Sequence, residues 1–337
     1  MDLAELVSGV TTFRDNYVLT GAEGYIDSGY DRPAVWLSGD GTTWRRAAID
    51  AEPLTVGFGA SIVVGDRILS WSDGSIWTSD SGDLWQREDN ASLDGGMVLT
   101  LVGAGGNAVA FGRATSAWDS PPEAWISADG IDWTPLEGDD IAHIGRGFVD
   151  AYTDGPVAYA FVAANEQIYD QRKIDAIEVW RSTDGSNWAN LGQLEGSHGI
   201  SLIDGVATND DGVVVVSMYE RITWYSHDGH TWKQADQPPL RGISPEVVAV
   251  AATDQAFVMT SGRYPRSGTG IFNEDNVTGL TWTSPDGNTW TEQQDSGWDG
   301  LEIDLMFTTG STLVGVGREF TDVPSGAIWA APFPNPQ

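Results

Sequence analysis

The chain has 337 residues, a net charge of −32 and only two lysines, Lys173 and Lys233, so a phosphate backbone or an anionic membrane surface is a poor partner for it. There is no cysteine, which removes disulfides, thiolate chemistry and cysteine-ligated metals, and no apolar run is long enough to span a bilayer. Forty-one glycines within a 41% hydrophobic composition describe a turn-rich β protein with enough apolar mass for a core.

Taken in order, the chain repeats itself. A stretch Trp-x-Ser-x-Asp-Gly-x-x-Trp occurs at residues 36–44, 125–133, 180–188, 224–232 and 282–290; a copy at 77–85 has Ser81 in the Asp position, and a half-copy at 327–331 keeps only its first tryptophan, Trp329. These motifs hold thirteen of the sixteen tryptophans, and the first tryptophan of each recurs at steps of 41 to 58 residues. That period suits a blade of four strands, here A to D, and predicts one domain over 1–337: an all-β, seven-bladed β-propeller. Residues 205–233 show the unit: strand 205–208, an Asn-Asp-Asp-Gly turn, strand 213–217, strand 223–226 with Trp224, an Asp-Gly turn, and a strand opening on Trp232. No stretch has a helical period of useful length. Only six D strands follow the seven C strands, so residues 1 to about 6 are expected to close the last blade as its outer strand.

The motif has a physical logic. Glycine after aspartate allows the positive φ of a tight hairpin, the Asp carboxylate and Ser hydroxyl can take turn amides, and two indoles flank the turn ready to seal one sheet against the next. On these residues the repeats resemble Asp boxes, or BNR repeats, with glycine directly after aspartate and so one residue shorter than the usual form. The resemblance runs along the whole chain and is similar to bacterial sialidase-like propellers. It implies the scaffold, since Asp boxes lie away from that family's catalytic pocket. The family's Phe-Arg-Ile-Pro segment has its nearest match in Phe13-Arg14-Asp15-Asn16, which falls on an A–B turn, and so sialidase activity is not implied.

Propeller topology puts the Asp-Gly turns and the A–B turns on one face and the B–C and D–A loops on the other, where length varies and a ligand is expected. Strand B ends in Gly-Arg at Arg113, Arg263 and Arg318, with Arg221 at a comparable place. The three tryptophans outside the motif, Trp71, Trp118 and Trp298, map to the same face, and Tyr219, Glu220 and Tyr264 accompany the arginines. Arginines beside exposed aromatics are what a carboxylate or an acidic sugar requires. The competing reading is a repeat signature whose arginines pair with nearby acids.

The expected function is a ligand-binding or interaction module, for a glycan or another carboxylate-bearing molecule. The alternatives are a glycoside hydrolase of sialidase-like type, for which no catalytic pair stands out, and a structural propeller within a larger assembly. No cofactor and no metal are expected: Gly103 to Ala108 matches a dinucleotide pattern by letter but sits in a hairpin, His227 and His230 flank a turn, and Asn209 to Gly212 reads as a turn. A monomer is expected. The first residues lack a signal sequence, so the chain is cytoplasmic or a signal precedes it; the acidity suits an extracellular or cell-surface protein.

Overall fold

The computed structural model describes residues 6–23, 32–50, 56–88, 93, 96–115, 117, 120–165, 174–200, 202–217, 222–236, 248–263, 278–293, 301–309, 312–319 and 325–332. They form seven sheets, antiparallel but for one added parallel edge strand, and the fold is a seven-bladed β-propeller. The chain divides into two compact units, Val7–Leu191 and Met1–Leu6 with Gly192–Gln337.

The first unit holds sheets one to four. Sheet one runs β1 (Leu6–Phe13), β2 (Asn16–Glu23), β3 (Arg32–Ser38) and β4 (Arg45–Arg46) in spatial order. Arg14 and Asp15 make the A–B turn, and Arg14 has a φ of 55°. Sheet two has five strands: β6 (Ile62–Val64), β7 (Arg67–Ser72), β8 (Ser75–Ser79), β9 (Leu84–Arg87), and outermost β5 (Ala48–Asp50), which pairs parallel to β9. That fifth strand has no counterpart in the sequence pattern. Sheet three is β10 (Met97–Ala104), β11 (Asn107–Arg113), β12 (Pro122–Ser127) and β13 (Thr134–Pro135). Sheet four is β14 (Phe148–Asp154), β15 (Val157–Ala163), β16 (Ile177–Ser182) and β17 (Ala189–Gln193).

Between sheets three and four lies the one helix among the described residues, α1 (Asp139–Gly147), where no helix is expected from periodicity. Its nine residues are too few for a period to stand out, yet the local chemistry fits: Asp139 and Asp140 complement the positive N-terminal end of the helix dipole and Arg146 the negative end. Ile141 and Ile144, three apart, are buried against sheets three and four. A Cβ on Gly145 would lie 2.8 Å from the Pro122 side chain, and one on Gly147 would lie 2.5 Å from the Ala163 carbonyl. The helix is seated too closely for larger residues at those two positions.

The second unit holds sheet five, β18 (Gly205–Asn209), β19 (Gly212–Ser217), β20 (Ile222–Ser226) and β21 (Lys233–Gln234); sheet six, β22 (Val248–Thr253), β23 (Ala256–Arg263), β24 (Thr278–Ser284) and β25 (Thr291–Gln293); and sheet seven, β26 (Leu301–Thr309), β27 (Thr312–Glu319) and β28 (Ser325–Pro332). Among the described residues sheet seven has three strands. Of residues 1 to about 6, expected to complete it, 1–5 lie outside the described residues and Leu6 opens β1 of sheet one.

Motif tryptophan pairs fill the core of four interfaces between successive sheets. Trp77 and Trp85 of sheet two pack on Phe13, Val18, Val35 and Leu37 of sheet one; Trp125 and Trp133 of sheet three pack on Ile62, Val64, Leu69 and Ile76 of sheet two. Trp180 and Trp188 meet Val102, Val109 and Phe111 in the same way, and Trp282 and Trp290 meet Ala207, Val214 and Val216. Each of these four pairs therefore seals its sheet against the preceding one. The second tryptophan stands one residue before strand D in five sheets rather than opening it, and lies within β9 in sheet two. In five turns its indole N–H donates to the carbonyl of the motif glycine, at 3.0 to 3.3 Å for Trp44, Trp85, Trp133, Trp188 and Trp290.

Candidate functional site

The two ends of the sheets differ in chemistry. At the C–D end the motif glycines Gly41, Gly82, Gly130, Gly185, Gly229 and Gly287 all take φ between 70° and 82°, a region that side chains avoid. The Ser127 hydroxyl accepts the Gly130 amide at 2.8 Å, and Asp129 Oδ1 accepts the amides of Ile131 and Asp132 at 2.8 and 2.9 Å. Ser182 and Asp184 repeat that arrangement with Gly185, Ser186 and Asn187, and Ser38 and Asp40 with Gly41, Thr42 and Thr43. Donated amides hold these carboxyls below the ordinary carboxylate range: Ile131 chiefly for Asp129, Asn187 for Asp184, Thr43 for Asp40 and Thr231 for Asp228. Asp286 is lowered too, by Thr289 and Asn288 working against its burial. Every one of these carboxylates is engaged in shaping its own turn. His227 belongs to the same end, its Nδ1 2.8 Å from the Asp211 carbonyl oxygen.

The B–C and D–A end carries the candidate ligand residues. Arg113 is the last residue of β11, opposite Met97 on one side and Pro122 on the other, and is half-buried. Arg263 is the last residue of β23, opposite Thr278; Arg318 is the penultimate residue of β27, opposite Glu302 and Gly326. Three second strands thus deliver an arginine at the same end of their sheets. Trp71, near the end of β7, is half-buried, and its ring lies so close over Gly59 that a Cβ there would be 2.2 Å from the indole. Its N–H is buried with no hydrogen-bond partner among the described residues. Trp118, Tyr219, Glu220, Arg221, Tyr264 and Trp298 lie outside the described residues.

One group at this end is absent from the sequence reading. Glu178, on β16 and two residues before the motif tryptophan Trp180, accepts two hydrogen bonds on Oε2, from His143 Nε2 of α1 and from the Trp180 indole, each at 2.9 Å. The His143 and Trp180 rings lie 5.7 Å apart. An acid two residues before a motif tryptophan is visible in the sequence, but its partner sits on a helix that periodicity does not reveal.

Among the described residues no three His, Asp or Glu side chains gather as a metal site, and no helix is long and apolar enough to cross a membrane. No family model and no curated protein matches the chain. Solved structures do, as folds. A structure of YCF48 bound to D1 peptide aligns over 99% of this chain and 94% of its own, with a TM-score of 0.62 and 13% identity. A streptogramin B lyase aligns over 93% of this chain and 92% of its own at 0.56 and 10%, and virginiamycin B lyase from Staphylococcus aureus over 94% of each at 0.53 and 11%. At such identities the likeness defines the class, a β-propeller, and no more.

Proposed function

We propose that the chain is a non-catalytic binding module, built on Asp-box-like repeats, whose B–C and D–A loops take a carboxylate-bearing ligand, first of all an acidic glycan. The reading is supported by register: Arg113 and Arg263 end their second strands and Arg318 stands one short of that position, so three sheets carry an arginine at the same end. A guanidinium pairs with a carboxylate through two parallel hydrogen bonds, and such charge-assisted bonds are about twice as strong as neutral ones. The half-buried indole of Trp71 supplies an apolar face at the same end of its sheet. Because a propeller of like fold has been solved with a peptide bound, a peptide carboxylate is the second ligand to try.

The test is titration of 3′-sialyllactose, followed by a peptide rich in glutamate, into the wild type and the Arg113→Ala/Arg263→Ala/Arg318→Ala variant. Saturable binding that weakens at least tenfold in the variant, about 1.4 kcal/mol, supports the reading. Equal affinity in both proteins, or none in either while both are folded, overturns it. Turnover of a chromogenic glycoside by the wild type would replace it with a glycoside hydrolase.

A further inference from the structure

Glu178 is held differently from every motif aspartate. Its Oε2 carries both donors, His143 Nε2 and Trp180 Nε1, while Oε1 has no hydrogen-bond partner among the described residues. The group is neither sealed nor free: the Glu178 side chain is 14% exposed and that of His143 24%. Two donors on one oxygen fix the carboxylate plane, so the second oxygen is presented in a set direction instead of rotating in solvent. The imidazole and indole make one wall beside it, and the close seating of α1 through Gly145 and Gly147 fixes that wall in place.

A carboxylate oxygen so presented can accept a further donor, and its own negative charge favours a cationic one. Asp139 and Asp140 stand one turn before His143 on α1 and Arg146 one turn after it, and the chain as a whole carries −32. Aromatic rings beside a carboxylate favour an ammonium or guanidinium over a neutral hydroxyl, since the cation gains from both. We infer that Glu178 Oε1, flanked by His143 and Trp180, binds the cationic side chain of a lysine or arginine presented by a basic partner polypeptide. This site is independent of the arginine positions, and its failure would leave the carboxylate-binding reading untouched.

Only four histidines occur in the chain, so the His143 Cε1–H resonance can be assigned with a single His143→Gln variant. That resonance would be followed while N-acetyl-arginine methylamide, N-acetyl-lysine methylamide and their norleucine analogue are titrated in. Glu178→Gln keeps one oxygen to accept both donors and replaces Oε1 by an uncharged amide nitrogen that donates instead of accepting; Asp139→Asn/Asp140→Asn removes two charges beside the site and none within it. A saturable shift with the two cationic probes, at least tenfold weaker in Glu178→Gln and less than threefold weaker in the double variant, is the expected result. A larger loss in the double variant, a shift with the norleucine analogue, or equal binding by wild type and Glu178→Gln would show only general attraction to an acidic surface and would overturn the inference.

Discussion

The C–D end of each sheet and the opposite end use the same residue types for opposite purposes. At the C–D end, Asp129 and Asp184 spend their carboxylates on their own backbone amides, and the Trp133 and Trp188 indoles on the adjoining glycine carbonyls. At the other end Glu178 meets side chains from two elements and, among the described residues, keeps an oxygen unused, and Arg113 closes a strand instead of a turn. Acids that repeat are architecture here, and Glu178, which lies outside the repeat, is a candidate for recognition.

The comparison can be broken first at the interfaces. Trp125→Ala removes a side chain that is 2% exposed between sheets two and three, and is expected to cost about 3–5 kcal/mol, read as a fall in the denaturant midpoint. Ser127→Ala strikes one turn: it leaves the buried Gly130 amide without its acceptor, with an expected loss of about 1–3 kcal/mol by the same measurement. Both substitutions should leave ligand affinity in the surviving folded protein unchanged.

Acid gives a gentler probe. The carboxyls of Asp129, Asp184 and Asp286 lie below the ordinary value of 3.8 when folded, so the stability they add is complete above that value and is lost as pH falls through it toward the folded-state values. The melting temperature is expected to be level from neutral pH to about 5 and to fall below about 4. In Asp129→Asn/Asp184→Asn the protein should start less stable and fall less steeply over the acid range. An unchanged slope would mean that other groups govern the acid transition.

The turn end was almost wholly legible because its chemistry is local: Trp125 to Trp133 contains the glycine, the acceptors and both indoles that the geometry uses. The direction of sealing was not legible, since nothing within nine residues says whether Trp125 faces the sheet before it or the one after. The fifth strand of sheet two pairs Ala48 with Leu84 and Ile49 with Trp85, which no local pattern encodes. Helix α1 escaped for a similar reason, its two buried isoleucines being too few to register as a period. With the helix went His143, and with His143 the only sign that Glu178 differs from the other acids of so acidic a chain. Arg113 was legible as a strand end, because Gly112-Arg113 follows an apolar run, but the residues facing it depend on pairing with Met97 and Pro122.

The most direct test is a thermal melt with and without 3′-sialyllactose, run on the wild type, on Ser127→Ala/Ser182→Ala, and on Arg113→Ala/Arg263→Ala/Arg318→Ala. If one end builds and the other binds, the serine variant melts several degrees lower yet keeps the ligand-induced rise. The arginine variant then stays folded and loses that rise. A serine variant that loses the rise while folded, or an arginine variant that keeps it, would contradict the division of labour between the two ends.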